Sequence, residues 1–557
     1  MNLFKRIPRT PEEKQKLRSE RFMIVLSGVL MGFAYPPFPF PITAFIALVP
    51  LLYVVTRREK LIDLNRAAYL FGFVTGLVSL YWVGAYTVGK DPFLMIGGGL
   101  MLFANPIFFI IPTTLYYALS RSKFIGKEKA IWFLPPFWAF YEYFYMNIDL
   151  NFPWITLSNS MANFPVFYKI SDIIGALGVT MLLLYINIFL FRIWEKWRTE
   201  KKTDRMALRI LNVLILVPLF YGIITRDDQP AQETLRTGLV QPNLDPYEKW
   251  AGGNLDDILN KYFTLSDKAV KEGAQIIIWP ETALPVYLMN GQYDAQVQRI
   301  YSYADSNKVY ILTGMPHIKM FQPGEKLPPD VKSYKGSDIK YATYNSVLLF
   351  APGDRTVQQY GKVKLVPFGE RTPYIDQLPF LGNVLQWGVG LSSWNVGQES
   401  MVFSANVKTS TGKREVKFGA LVCFESVFPN FVTEFSQKGA EFFAVVTNDS
   451  WYGNTSGPYQ HKEFSTLRAL ENHRAFVRAA NGGISCLIDQ SGTTQTATRM
   501  YETAVITVDV PLLKRSTLFM NSAFVVPYLT ILLSVIAVLL WIYQVIIEKK
   551  NKTEKRG

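Results

Sequence analysis

The chain has 557 residues, 49% of them hydrophobic and 15% aromatic, a length that allows about two to four domains. Its net charge of +14 does not mark a nucleic-acid binder: Lys and Arg cluster between long apolar runs, and no Arg-rich helix, zinc-finger spacing or RNA-binding signature occurs. Two cysteines, Cys423 and Cys486, exclude a disulfide framework, and three scattered histidines, His317, His461 and His473, show no metal-ligand spacing.

Residues 1–21 form a basic, polar leader. Short apolar runs follow at 22–35 and 42–55, separated by the proline-rich stretch 36–41, and read as tight spans or as a re-entrant hairpin. No small-residue cleavage site follows the first run, which argues against a signal peptide. Further spans are expected at 67–88, 93–119, 130–145, 173–191 and 207–225, with a last one at 524–547, about eight in all. Asn105-Pro106 and Pro135-Pro136 should kink two of them. Lys/Arg-rich loops alternate with nearly uncharged ones, which by the positive-inside rule leaves both termini cytoplasmic and residues 226–515 outside. A hairpin in place of the first two runs does not change that parity. Glu142, Lys169 and Asp172 are the few ionisable residues in or beside the spans, and all lie near their outer ends, which argues against a transporter.

Three regions follow: a transmembrane domain over 1–225, a globular domain over 226–515, and a last span with a basic tail over 516–557. The globular part reads as α/β. Strands are expected at 236–242, 275–279, 309–314, 344–350, 356–360, 417–422, 442–447, 483–489 and 501–510. Helices are expected at 254–272, 295–307 and 461–480.

Three strand ends offer chemistry. The strand at 417–422 delivers Cys423 to its C-terminal end, where α/β sheets place their sites. Glu281 follows Trp279-Pro280 at the end of a buried strand, where partial desolvation suits a carboxylate to act as a base. Lys362 and Lys364 lie just past another strand; a lysine beside a cysteine favours its thiolate and holds a developing oxyanion. Alternation along an extended segment would put both on one face, so spacing does not choose between them. Cys486 reads as core. The stretch 373–394 is unusually apolar for a loop, with Leu385, Trp387 and Trp394 among its residues, and reads as a lid facing lipid.

Glu281 in Trp-Pro-Glu, a lysine after Tyr360-Gly, and Cys423 closing a strand resemble the Glu-Lys-Cys triad of the nitrilase superfamily. With apolar spans on both sides, the whole chain resembles the apolipoprotein N-acyltransferase family. Leu365-Val-Pro-Phe-Gly-Glu370, Gln241-Pro-Asn243 with Trp250 downstream, Phe152-Pro-Trp154 and Asn448-Asp-Ser-Trp-Tyr-Gly453 carry that resemblance. It implies an αββα sandwich, and it favours Lys362, eight positions before Glu370. It further implies acyl transfer from a phospholipid donor to a diacylated apolipoprotein acceptor in the bacterial inner membrane, with no cofactor or metal ion. Glu281, Lys362 and Cys423 would be catalytic, Glu370 and Phe424 supporting, and Trp154, Trp250, Trp387 and Glu425 in contact with substrate; Glu425 is also placed to position the loop. Phe424 stands where that family often has Tyr, and Ser450 where it often has Ala.

Overall fold

The computed structural model describes residues 10–226, 231–250, 252, 254–328, 330–334, 336–378 and 394–554. Among them, five helices are long and apolar enough to cross a membrane: Leu61–Ser79, Leu94–Ser120, Ser171–Glu200, Arg205–Ile224 and Val525–Glu548. The other expected spans differ in form. The run at 42–55 is a shorter apolar segment, Pro41–Val55. The run at 22–35 ends the helix Pro11–Gly32, whose first half is polar. The run at 130–145 gives a 13-residue helix, Leu134–Met146. Pro135 and Pro136 stand in its first turn, where a missing N–H costs nothing, so they start that helix rather than kink it. Pro106 falls in the 3-10 turn Asn105–Phe109, which interrupts the Leu94–Ser120 segment.

The globular part is two packed sheets. Its first half supplies β1 (Thr234–Gln241), β2 (Ile276–Ile278), β3 (Tyr310–Phe321), β4 (Lys332–Ser333), β5 (Lys340–Phe350) and β6 (Gln358–Gly361). Its second half supplies β7 (Val402–Thr409), β8 (Gly412–Val422), β9 (Phe442–Thr447), β10 (Ala475–Ala480), β11 (Cys486–Ile488), β12 (Thr494–Ala497) and β13 (Ala504–Pro511). One sheet runs β13-β1-β2-β3-β5-β4, with β6 on β5; the other runs β12-β11-β10-β9-β8-β7. The centres of both are parallel: β1 with β2 and β2 with β3, β8 with β9 and β9 with β10. Parallel strands are covered on both faces, which is why these centres read as unbroken apolar runs.

Side-chain alternation builds the layers. Ile277 packs with Leu259, Tyr262 and Ile300 of the helices Leu255–Lys271 and Asp294–Asn307. Its neighbours Ile276 and Ile278 join the other cluster, with Phe418, Ala420 and Phe442 of the second sheet. On that sheet's outer face, Phe443 of β9 meets Phe435 of the helix Pro429–Gln437. Gly419 belongs to this contact: a Cβ there would come within 2.8 Å of the Phe443 ring.

Two readings are corrected. The helix expected over 461–480 ends at Asn472; His473 turns out of it at φ 51, and the chain resumes as β10. The strand β7 was not anticipated, because its alternation of polar and apolar residues is that of a half-covered strand pairing antiparallel with β8.

The helix Ser456–Asn472 carries the join to the helical part. Gln460 Oε1 accepts from the indole N–H groups of Trp82 (2.9 Å) and Trp154 (2.8 Å), and its Nε2 donates to the carbonyls of Pro36 (2.8 Å) and Ser79 (3.0 Å). About two turns further, Arg468 pairs with Glu471 at 2.7 Å, both fully buried, and the Tyr168 hydroxyl donates to Glu471.

Candidate active site

Cys423 follows the last residue of β8 and takes a left-handed φ of 50, opening the 3-10 turn Cys423–Val427. A non-glycine residue held there is strained and persists only where its surroundings hold it. The Ser426 hydroxyl donates to the Cys423 carbonyl (2.9 Å), and His461 Nε2 lies 3.0 Å from the same oxygen. His461 Nδ1 lies 2.7 Å from Asp449, whose other oxygen accepts from Arg478 at 3.1 Å. All three are buried beneath the cysteine.

Glu281 stands just past β2, and Thr282 after it is also left-handed, with φ 45. Gly314 lets the chain approach here, since a Cβ on it would lie 2.7 Å from the Glu281 Cα. Glu281 Oε1 accepts from Asn345 Nδ2 (2.8 Å) and faces Lys362 Nζ at 3.3 Å; its Oε2 accepts the Asn448 N–H at 3.1 Å. Lys362 enters from the loop after β6, its own N–H bonded to the Asn345 carbonyl at 2.8 Å. Its Nζ donates to Glu370 Oε1 at 2.8 Å, and Glu370 Oε2 accepts the Val366 N–H at 2.8 Å. Burial works against the Lys362 charge, but Glu370 and then Glu281 outweigh it and hold the ammonium above its ordinary range. Burial, followed by Glu281, pushes the Cys423 thiol up, while Lys362 pulls it back down.

The two lysines left open by spacing are separated by geometry. The chain bends after β6, so Lys364 does not share the face of Lys362. Its ammonium lies over the Phe428 and Phe431 rings, 5.1 and 5.9 Å from their centroids.

Glu281, Lys362, Glu370, Cys423 and Trp250 line one cavity of about 130 Å³. Trp154 lies outside it, in an adjoining space of about 30 Å³ that also reaches Cys423. Phe424 lies against both Phe152 (5.8 Å) and Trp154 (6.4 Å), which stack on each other at 5.3 Å, so the helical part forms the wall behind the nucleophile. Glu425 does not line the cavity. Its Oε1 accepts from the Tyr360 hydroxyl (2.6 Å) and the N–H groups of Val363 (2.7 Å) and Lys364 (3.3 Å), and its Oε2 from Val422 N–H (2.8 Å). Substrate contact, expected for Glu425, therefore gives way to the other expectation: it ties the lysine loop to the cysteine strand. Trp387 lies outside the described residues, as does most of the apolar stretch expected to be a lid. Cys486 is buried in β11, where burial pushes its thiol up to about 11.

Four side chains at this site escaped sequence reasoning. Asn345 bridges Glu281 and Glu370 from mid-β5, where Thr343 and Ser346 beside it make one more polar residue unremarkable in the sequence. His461 and Asp449 have no metal or triad spacing that would pair them. Lys249 is buried and donates to the Thr282 carbonyl at 2.9 Å, and burial lowers its ammonium to about 8.

A carboxylate, an ammonium and a thiol converging from separate strand ends of a two-sheet sandwich define an enzyme of the nitrilase superfamily, and residues 236–516 match the Carbon-nitrogen hydrolase family model. Residues 27–189 match the Apolipoprotein N-acyltransferase N-terminal domain. The apolipoprotein N-acyltransferase of Chlorobaculum tepidum is 33% identical over 91% of this chain and 93% of its own length. That of Geobacter metallireducens is 30% identical over 90% and 92%, and apolipoprotein N-acyltransferase 1 of Treponema denticola 28% over 88% and 90%. The chain belongs to the apolipoprotein N-acyltransferase family.

Proposed function

We propose that the protein transfers a fatty acyl chain from a membrane phospholipid to the α-amine of the N-terminal S-diacylglyceryl cysteine of an apolipoprotein, in two steps through a Cys423 thioester. The observation that carries this is one cavity shared by Cys423, Glu281 and Lys362, walled by an apolar helical part. Glu281 takes the thiol proton, and the sulfur attacks the ester carbonyl of the phospholipid. Lys362 and the Phe424 N–H stabilise the oxyanion. The ester C–O bond breaks, and the lysophospholipid leaves with the proton from Glu281. The acceptor amine then attacks the thioester carbonyl, the C–S bond breaks, and its proton returns through Glu281 to the Cys423 sulfur. A thioester divides one hard transfer into two easier ones and lets two large lipids use the site in turn. Glu370 orients Lys362, and Trp250 contacts substrate; Trp154 backs Phe424, and Trp387 belongs to the apolar stretch that would face lipid.

The same reading takes 1–225 as the N-terminal membrane domain, 226–515 as the catalytic domain on the outer face of the bacterial inner membrane, and 516–557 as the last span and cytoplasmic tail. Charge alternation between loops supports this arrangement, with about eight crossings.

Incubation with phospholipid alone, followed by intact-mass analysis, should add one acyl chain at Cys423. Addition of a diacylated lipopeptide should then remove it and yield the amide. Release of free fatty acid without amide product would point instead to a membrane-tethered amidase. Full activity in Cys423→Ala, or an adduct on Cys486, would end the assignment.

A further inference from the structure

The acyl-transfer steps use one end of the Cys423–Phe424 peptide, the Phe424 N–H, and among the described residues none accepts from that group. The other end of the same trans peptide, the Cys423 carbonyl, is held by two buried side chains. The Ser426 hydroxyl donates to it at 2.9 Å, and His461 Nε2 lies 3.0 Å away. The direction of the second bond follows from its surroundings. A carbonyl oxygen only accepts, and the single Ser426 proton already points at it. Nε2, 3.1 Å from the Ser426 oxygen as well, therefore carries a proton of its own. Nδ1 faces Asp449 Oδ1 at 2.7 Å. Burial opposes the Asp449 charge, but His461 and then Arg478 outweigh it and hold the carboxyl below its ordinary range, so this oxygen also accepts. The ring thus donates from both nitrogens. Arg478 at 3.1 Å and the Thr447 hydroxyl at 3.0 Å fix the carboxylate, and the carboxylate fixes the ring.

We propose that His461 and Ser426 are positioning residues of the oxyanion hole, which orient and polarise the Cys423–Phe424 peptide and so strengthen the Phe424 N–H as it takes up the oxyanion. Bonds accepted by a peptide carbonyl draw electron density from its nitrogen, and its N–H becomes a better donor. The left-handed turn at Cys423 aims the two ends of this peptide apart, one at the reacting carbonyl and one at the buried ring. The inference rests on the acyl-transfer reading above and adds to it a role for a histidine that touches no reacting atom.

The test compares two reactions of the same sulfur in the full-length chain. In mixed micelles, phospholipid acylates Cys423 and its ester carbonyl becomes an oxyanion. In detergent alone, methyl iodide methylates Cys423, and no carbonyl takes part. If the wild type forms no thioester from phospholipid, the acyl-transfer reading fails and this inference with it. An oxyanion donor is worth roughly 10²–10³ in rate and a bond on its own peptide strengthens it by about 10–30%, so Ser426→Ala and His461→Leu should each slow acylation about threefold at saturating donor, and both together roughly tenfold. The donor concentration for half-maximal rate and the methylation rate should not change. With an isotope-labelled acyl chain, the carbonyl stretch of the thioester should move to higher frequency in both variants, since its oxygen is held less tightly. His461→Gln, which keeps an N–H at a similar reach, should recover part of the rate. Ser426→Ala is the smaller change and decides the question should His461→Leu not fold. Equal slowing of methylation and acylation would mean that these bonds merely hold the cysteine, and would overturn the proposal. So would an unchanged acylation rate and carbonyl stretch.

Discussion

Glu281 and Lys362, 81 positions apart in the sequence, face each other at 3.3 Å with both side chains buried. Glu370 holds the same ammonium at 2.8 Å, so one buried cation serves a buried carboxylate and a partly buried one. Removing one partner of such a group leaves an uncompensated charge, at a cost of about 3–5 kcal/mol. Lys362→Met should therefore lower the melting temperature in detergent and abolish thioester formation. Adding Glu370→Gln should recover much of the melting temperature and none of the activity. An unchanged melting temperature in the single variant would contradict this account of the pair.

The Cys423 thiol is raised by burial and by Glu281, so in the free enzyme it stays protonated at neutral pH. Alkylation of Cys423 by iodoacetamide should be slow at pH 7 and still rising at pH 9. Lys362→Met should slow it further, because Lys362 favours the thiolate. A rate that levels off below pH 7 would mean a thiolate at rest.

Glu425 accepts four hydrogen bonds, so each of these partners is a donor. Glu425→Gln places an NH2 against at least one of those donors and should cost about 1–3 kcal/mol and most of the activity. Burial also raises the Glu425 carboxyl from 4.5 to about 7. The folded state then binds its proton more tightly than the unfolded chain. The stability this contributes is complete below pH 4.5 and lost as the pH rises to about 7. The wild-type melting temperature should fall across that window more steeply than that of Glu425→Gln, which starts lower but cannot titrate. Parallel curves would remove Glu425 as the source.

Gln460 satisfies two indole N–H groups and two carbonyls at the junction with the helical part. Gln460→Leu keeps the volume and takes this partner from the Trp154 N–H and the Pro36 carbonyl, while the Trp82 N–H keeps its 3.1 Å bond to the Ser79 carbonyl; a buried unpaired group costs about 1–3 kcal/mol. The variant should melt earlier and acylate more slowly, because Trp154 also backs Phe424 beside the nucleophile. Activity equal to wild type would show that the junction does not position the site.

Much of this protein was legible in its residues. Short, β-branched or aromatic runs such as Ile276-Ile277-Ile278 and Phe442–Thr447 read as buried strands, and Cys423, Glu281 and the lysine pair stand just past strand ends where α/β sites form. Alternating loop charge carried the expected topology. The helix expected to run to Ala480 failed because apolar periodicity does not register a left-handed residue such as His473, which ends it.

What remained belongs to three dimensions. Spacing left Lys362 and Lys364 open and only the family resemblance favoured Lys362; the bend after β6, which no alternation rule contains, is what puts Lys362 against Glu281 and Lys364 elsewhere. The bridging of two acids by Asn345, the setting of His461 under the Cys423 carbonyl, and the use of Glu425 as a clamp all join residues dozens of positions apart. Such pairs leave no mark on local periodicity, because burial and strand propensity act over a few residues. Hydrogen-bond partners are decided only when two sheets and a helical wall close on one another.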